Sequence, residues 1–340
     1  MAAVTVCVPV FNAADFVAET LDSIAAQSLA DIRVLISVDR GSDDSESICR
    51  RYLHDRRFEL IVQPERLGWV GNVNELIGRV ETPYFCITPH DDLLAPHYLA
   101  EVYALAGSDP AIACAYSDVE GFGRLRVRFE QPDIRGTLIE RVIDFLLNHF
   151  AAIPFRGIVR RRDSDDRPYL PTGLRRNFAA DTVWMLLLAL RGELRRVPTP
   201  LYSKRYHDAS VHAGWPDWPR GELIALWADQ AAACARMALE DVVDARDREL
   251  VLAAALLRVA GVGRSQTYAT PKGPLEVAAA TAMFCDAVGD TSPIPNMQSI
   301  LAYPTAQRLR DAIAEYDRAE AGSAAPSLAQ RIRRKLKGRY

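Results

Sequence analysis

Tyr84-Phe85-Cys86-Ile87-Thr88-Pro89-His90-Asp91-Asp92 is the stretch on which the reading of this chain turns. Its first four residues are apolar or aromatic, the composition of a short buried strand. Pro89 ends the ladder, and two adjacent carboxylates follow at the strand's C-terminal edge. In an open α/β sheet, ligands sit in the crevice outside those edges. Neighbouring acids repel there unless a cation holds them, and hard oxygen ligands suit Mg²⁺ or Mn²⁺, ions that usually hold substrate phosphates as well. A plain solvated turn, with an Asp capping a helix before Pro96, fits the pair equally well. The rest of the chain separates the two.

Upstream, Val4 to Val10 and Arg33 to Val38 read as buried, β-branched strands, and Glu59 to Val62 as a third. Asn12 is placed as the cap of a helix whose Phe16, Val17, Leu21 and Ile24 share a face. A second helix is expected from about Ser45 to Asp55, and a third from a turn at Gly68 to about Arg79. Strand and helix alternating with short links means βαβ units and a mostly parallel, doubly wound sheet. Downstream, strands are expected at Ala111 to Tyr116 and Ile153 to Val159, a strand or arm at Arg124 to Phe129, and an extended return over Leu194 to Lys204. Helices are expected at Thr137 to Phe150 and Asp181 to Leu190. Trp215-Pro216-Asp217-Trp218-Pro219 breaks the pattern, and Ala- and Leu-rich helical spacing follows it. The expected divisions are 1–214 (halves 1–120 and 121–214), a helical part 215–321, and a linker and basic tail 322–340.

Composition narrows the partners. A chain of 340 residues with 49% hydrophobic side chains can build a sizeable core, and a net charge of −3 argues against coating nucleic acid. Cys7, Cys49, Cys86, Cys114, Cys234 and Cys285 are scattered with no CxxC pair, as expected of reduced thiols in a cytoplasmic protein. No basic region precedes the first apolar run, so no signal peptide is read, and no run is long enough to span a membrane.

Polar residues close three successive strands: Asn12, Asp39, then Asp91 and Asp92. Such convergence suggests a nucleotide pocket, because base and ribose offer donors that carboxylates accept. There is no GxxxxGK[ST] loop and no GxGxxG after the first strand, which removes P-loop and dinucleotide chemistry. A metal-bridged nucleoside diphosphate remains.

Val4-Thr5-Val6-Cys7-Val8-Pro9-Val10-Phe11-Asn12 followed by Ser37-Val38-Asp39-Arg40-Gly41-Ser42 resembles the opening of family 2 glycosyltransferases. Gly68-Trp69-Val70-Gly71-Asn72-Val73-Asn74 resembles that family's Gly-rich turn, and His90-Asp91-Asp92-Leu93-Leu94-Ala95-Pro96 its metal site. The resemblance covers roughly residues 4 to 212. It implies a GT-A fold, inverting transfer from a nucleotide-sugar donor (a UDP-sugar first of all), Mg²⁺ or Mn²⁺, and a glycan or lipid-linked acceptor. By the same resemblance, 1–120 is the donor half and 121–214 the acceptor half. Pro9, Phe11 and Asn12 would line the base and ribose pocket, and Asp39 would accept from the base. Gly68 would allow close approach and Asn74 would help hold the donor. Asp91 would face ribose or metal, and Asp92 would bind the metal. Three positions depart from the pattern: Arg40 replaces an acid, Val73 an Arg, and Pro89 the first acid of Asp-x-Asp.

An inverting transfer needs a general base for the acceptor hydroxyl. Ala179-Ala180-Asp181-Thr182-Val183-Trp184 resembles the family's Glu-Asp motif with Ala180 in place of Glu, which makes Asp181 the catalytic candidate; helix capping is its plain role. His207 is expected at the metal or the donor phosphates, with Arg205 as a helper on the diphosphate. Arg156 and Trp215 are expected on the acceptor side. A solvated turn for Arg156, and core packing for Trp215 and Trp218, are the plain alternatives. The tail Arg331-Ile332-Arg333-Arg334-Lys335-Leu336-Lys337 offers weak peripheral contact with an anionic membrane face, or is a solvated tail. A bacterial polysaccharide pathway is the family's commonest setting. A sugar nucleotidyltransferase and a non-catalytic sugar-nucleotide binding module remain the rival functions.

Overall fold

The computed structural model describes residues 2–148, 152–208, 210, 213–261, 269–289, 300–302 and 306–320. The linker expected at 322–326 and the basic tail lie outside the described residues. In chain order come β1 (Val4–Val10), α1 (Val17–Ala25), β2 (Ile32–Val38), α2 (Ser45–Arg50), β3 (Phe58–Val62), α3 (Gly68–Gly78) and β4 (Tyr84–Ile87). Next are β5 (Leu93–Leu94), α4 (Tyr98–Ser108), β6 (Ile112–Gly123), β7 (Val127–Phe129), α5 (Leu138–Asn148) and β8 (Ile158–Arg160). Then follow α6 (Ala180–Arg191), β9 (Glu193–Tyr206), α7 (Arg220–Asp241), α8 (Ala245–Val259), α9 (Gly273–Val288) and a last helix, Gln307–Glu320.

The chain forms two units. One comprises Met1–Arg135, Ala151–Gly173 and Ala180–Ala213; the other Gly136–Phe150, Leu174–Ala179 and Gly214–Tyr340. The first holds a nine-stranded sheet in the order β3-β2-β1-β4-β8-β6-β9-β5, with β7 paired to β6. The sheet is mixed. β1 pairs in parallel with β2 and β4, β2 with β3, and β6 with β9, while β8, β5 and β7 join antiparallel over two or three residues. Continuous apolar runs in β1, β2 and β4 reflect burial on both faces, as parallel strands under helices require. Val10 aligns with Val38, Val38 with Val62 and Cys7 with Ile87, so four strands end at one edge of the sheet. That edge carries Asn12, Asp39, Gln63 and the acid turn.

Several local expectations give way to tertiary constraints. Asn12 does not cap α1; it takes a left-handed backbone (φ 44°), the helix begins five residues later, and its amide oxygen instead accepts from Ser42 N. The helix expected from Ser45 to Asp55 turns 3₁₀ at Arg51–His54. The strand expected over Ile153 to Val159 splits, because Pro154 starts a 3₁₀ turn through Arg156 before β8. Neither acid of the turn caps α4, whose N-cap position is His97.

In the second unit α5 buries Val142, Ile143, Phe145, Leu146 and Leu147, while α7 and α8 bury alanine-rich faces. Phe178, Leu223, Leu226, Trp227 and Ala269 form a cluster against which Trp215 and Trp218 pack.

Candidate active site

Helix α1 fixes the acid turn with one polar row. Thr20 and Ser23 share a face of α1, and Gln27 follows two residues past the helix end. Thr20 Oγ1 donates to His90 O (2.8 Å), Ser23 Oγ accepts from Leu94 N (3.2 Å) and Gln27 Nε2 donates to Ala95 O (2.8 Å). His90 Nδ1 donates to Pro9 O at 3.0 Å, tying the turn to the end of β1. On the other side, β5 pairs Leu93 with Ser203 and Leu94 with Tyr202. Continuing that antiparallel register sets Asp92 opposite Lys204 and Asp91 opposite Arg205.

The two acids have separate surroundings. Asp92 is 1% exposed. Its Oδ2 accepts from Arg156 Nε (3.0 Å) and Tyr202 OH (2.9 Å), and its Oδ1 from Arg205 N (2.9 Å). Burial pushes the Asp92 carboxyl up, against the pull of Arg156, and Asp91 adds to the push. Arg156 stays charged: burial works against its proton, and the Asp92 carboxylate and its other partners outweigh it. Burial, then the charge of Asp92, keeps the Tyr202 phenol protonated and a donor. Asp91 faces outward, its Oδ2 2.9 Å from His207 Nε2, and both side chains are 16% exposed.

Asp181 sits in the first turn of α6, its Oδ1 accepting from Thr182 N (2.8 Å). Burial raises its carboxyl above the ordinary range, opposed by that amide and by the charges of Arg156 and Lys204. Lys204 lies with Nζ 4.8 Å from the Tyr206 ring centre. Burial, then Arg156, lowers its ammonium to about 8, while Asp92 and Asp181 resist. Arg156 and Lys204 therefore both act on Asp92 and Asp181.

At the far end of the edge, a cleft of about 330 Å³ opens among Asn12, Asp39, Arg40, Gly41, Gln63 and Pro64. Asp39, 2% exposed, accepts from Leu67 N (2.7 Å) and Gly68 N (2.9 Å), so it caps the start of α3 while lining the cleft. Gly68 serves a turn: its φ of 72° is a conformation that favours glycine. Phe11 lies beneath Arg66, whose guanidinium carbon is 4.0 Å from the ring centre.

Other expected residues have found different partners. Asn74, expected on the donor, clamps Leu170 from both sides of its amide, donating to Leu170 O (3.0 Å) and accepting from Leu170 N (2.7 Å). Arg205, expected on the diphosphate, donates through Nε to Asp91 O (3.0 Å), pairs with Glu19 and stacks near Phe16 and Phe122. Arg156, expected on the acceptor side, is committed to Asp92 and Ala152 O. Trp215 stands 4.9 Å from Phe178 in the second unit's cluster. Sequence reasoning passed over Tyr202, Lys204 and Gln63. Period-two spacing along β9 was the one available signal for the first two.

The acid turn at the C-terminal edge of a helix-covered mixed sheet defines a GT-A-like nucleotide-binding domain. Residues 5–166 match the model of the family described as Glycosyl transferase family 2. Among curated relatives, a putative glycosyltransferase EpsH of Bacillus subtilis (strain 168) is 27% identical over 209 residues, 60% of this chain and 56% of that protein. An uncharacterized glycosyltransferase RT0329 of Rickettsia typhi is 26% identical over 136 residues, 39% of this chain. The match spans only 42% of that relative's length. In fold the chain is similar to S. aureus TarS 1–349, with a TM-score of 0.61 and 17% identity over 85% of this chain and 81% of that one. The mannosyltransferase PcManGT from Pyrobaculum calidifontis gives a TM-score of 0.54 and 17% identity over 92% of this chain and 86% of that one.

Proposed function

We propose that the chain transfers a sugar, with inversion, from a nucleoside-diphosphate sugar to an acceptor hydroxyl, a glycan or lipid-linked saccharide. The observation that carries this reading is the acid turn at the sheet's C-terminal edge, where Asp92 is held by Arg156, Tyr202 and the Arg205 amide and Asp91 meets His207, with Asp181 at the head of α6 under the charge of the same Arg156. The acid turn then organises the donor end and Asp181 faces the acceptor. The hydroxyl attacks the anomeric carbon, its proton passes to Asp181, and the bond to the diphosphate oxygen breaks. Lys204 supplies positive charge where the leaving diphosphate gathers negative charge. The family match supports the reaction class. TarS and PcManGT, solved with UDP-GlcNAc and with GDP-Man and Mn²⁺ respectively, support a nucleotide-sugar donor.

The residues fit a divalent ion at Asp91 and His207 rather than at Asp92, whose oxygens are occupied by protein donors. A carboxylate with an imidazole suits Mn²⁺ better than Mg²⁺. Among the described residues no cluster of three such ligands exists, so the diphosphate and water would complete the shell. When bound, the ion would neutralise diphosphate charge. No helix among the described residues is long and apolar enough to cross a membrane.

The test is thermal stabilisation by nucleoside diphosphates with and without Mn²⁺, followed by assay of donor hydrolysis. Metal-dependent stabilisation and release of a nucleoside diphosphate from a sugar donor are expected. Tight binding without turnover on any acceptor means a binding module, and pyrophosphate release from a nucleoside triphosphate means a nucleotidyltransferase.

A further inference from the structure

The donor cleft is lined by Gln63, whose amide is held one way round by a relay. Asn72 Nδ2 lies 3.0 Å from the backbone carbonyl of Ser37, so that end of the Asn72 amide is the donor. Its Oδ1 therefore faces Ser37 Oγ, at 2.5 Å, and takes the hydroxyl's single proton. Ser37 Oγ is left as an acceptor, so the Gln63 atom 2.9 Å away must be the NH₂ group. Asn72 and Ser37 are 2% and 0% exposed, with Gln63 at 8%. Gln63 Oε1 accepts nothing from the described residues and is the amide atom left for the cleft. Asp39, an acceptor only, lines the same space, and the donors Arg40 and Asn12 stand beside it.

We propose that Gln63 is the base-reading residue of the donor site and selects a lactam base, uracil or guanine, through the ring N–H that its Oε1 accepts. This rests on the donor reading above. Uracil N3–H and guanine N1–H each lie beside a carbonyl oxygen that Arg40 or Asn12 can serve. Cytosine N3 and adenine N1 are bare acceptors: set against Oε1 they pair acceptor with acceptor, and the donor each carries is the exocyclic amine one position over, where uracil and guanine present the carbonyl that Arg40 or Asn12 serves. The relay matters because a free glutamine amide rotates and accepts either pattern. Ser37 and Asn72 remove that freedom.

The experiment compares UDP, GDP, CDP and ADP binding, with Mn²⁺, to the full chain and to Gln63→Met and Ser37→Ala. In the wild type UDP or GDP should bind about tenfold tighter than CDP and ADP, the equivalent of about 1.4 kcal/mol. Gln63→Met should lose most of that ratio through weaker UDP or GDP binding. Ser37→Ala frees the amide to turn, so it should lose the ratio through a gain in CDP or ADP binding, which mere loosening of the fold would not produce. The inference is overturned by a wild-type preference for CDP or ADP, or by an unchanged ratio in Gln63→Met alongside intact nucleotide binding. Absence of binding by all four to the wild type sinks the donor reading and this inference together.

Discussion

Asp91 and Asp92 are neighbours in sequence with opposite duties, and substitution separates them. Asp92 holds Arg156, Tyr202 and the Arg205 amide from a position closed to solvent. Asp92→Ala leaves a guanidinium only 12% exposed without its partner, which should cost about 3 kcal/mol and lower the melting temperature by about 4 °C. Asp91→Asn should leave the melting temperature of the free protein within about 2 °C of wild type. It should abolish the extra stabilisation that Mn²⁺ adds to nucleoside diphosphate binding. If Asp92→Asn instead loses that metal response at unchanged stability, the ion sits at Asp92. Asp181 adds a pH dependence. As the base it works ionised, and burial raises its carboxyl, so the acid limb of the rate profile should lie above the ordinary carboxylate range. Lys204 pulls that carboxyl down, so Lys204→Met should move the limb further up. Asp181→Asn should keep donor binding and lose on the order of 10²–10⁴ in rate. A profile in Lys204→Met that overlays the wild type would remove Lys204 from the site.

Among the elements, the clamp between α3 and the segment before α6 links stability to the site. Asn74 holds Leu170 through both amide atoms, and Trp184 Nε1 of α6 donates to Pro168 O (2.6 Å). Asn74→Ala should therefore speed amide exchange over residues 168–171 and cost about 1–3 kcal/mol, because Leu170 loses its backbone partners. Unchanged exchange there would show that Trp184 suffices alone. These contacts mark what the sequence makes legible. β1, β2 and β4 declare themselves by apolar runs that need no partner to be recognised. Asn74 and Leu170 are 96 residues apart, and Arg156 meets Asp92 across 64, so no local pattern ties them together. Arg156 beside Pro154 and Gly157 reads as a surface turn until a buried carboxylate is found to claim it. The acid turn was legible as a site because two adjacent carboxylates ending a buried strand need an explanation. Which acid faces outward depends on the β5–β9 register.

For the molecule as a whole, the interleaving of the chain decides where it can be cut. Residues 215–321 read from sequence as a helical C-terminal part. Yet the second unit also draws in Gly136–Phe150 and Leu174–Ala179. Arg258 of α8, fully buried, donates to Leu146 O at the end of α5 at 3.1 Å. Phe178 completes the cluster of Leu223, Leu226 and Trp227 on α7, and Arg175 and Arg176 pair with Asp229 and Glu222. A chain ending at residue 214 would keep α5 and Phe178 but lose the helices that cover them. Val142, Phe145, Leu146 and Phe178 would then meet water, each exposing apolar surface whose burial is worth about 1.5–3 kcal/mol. Such a patch favours self-association. The expected outcome is that truncation after residue 214 gives aggregates or an early, broad thermal transition by light scattering and calorimetry. A soluble monomer from the 1–214 truncation, with nucleotide binding intact, would show that the sheet-bearing unit stands alone and that its borrowed segments are dispensable.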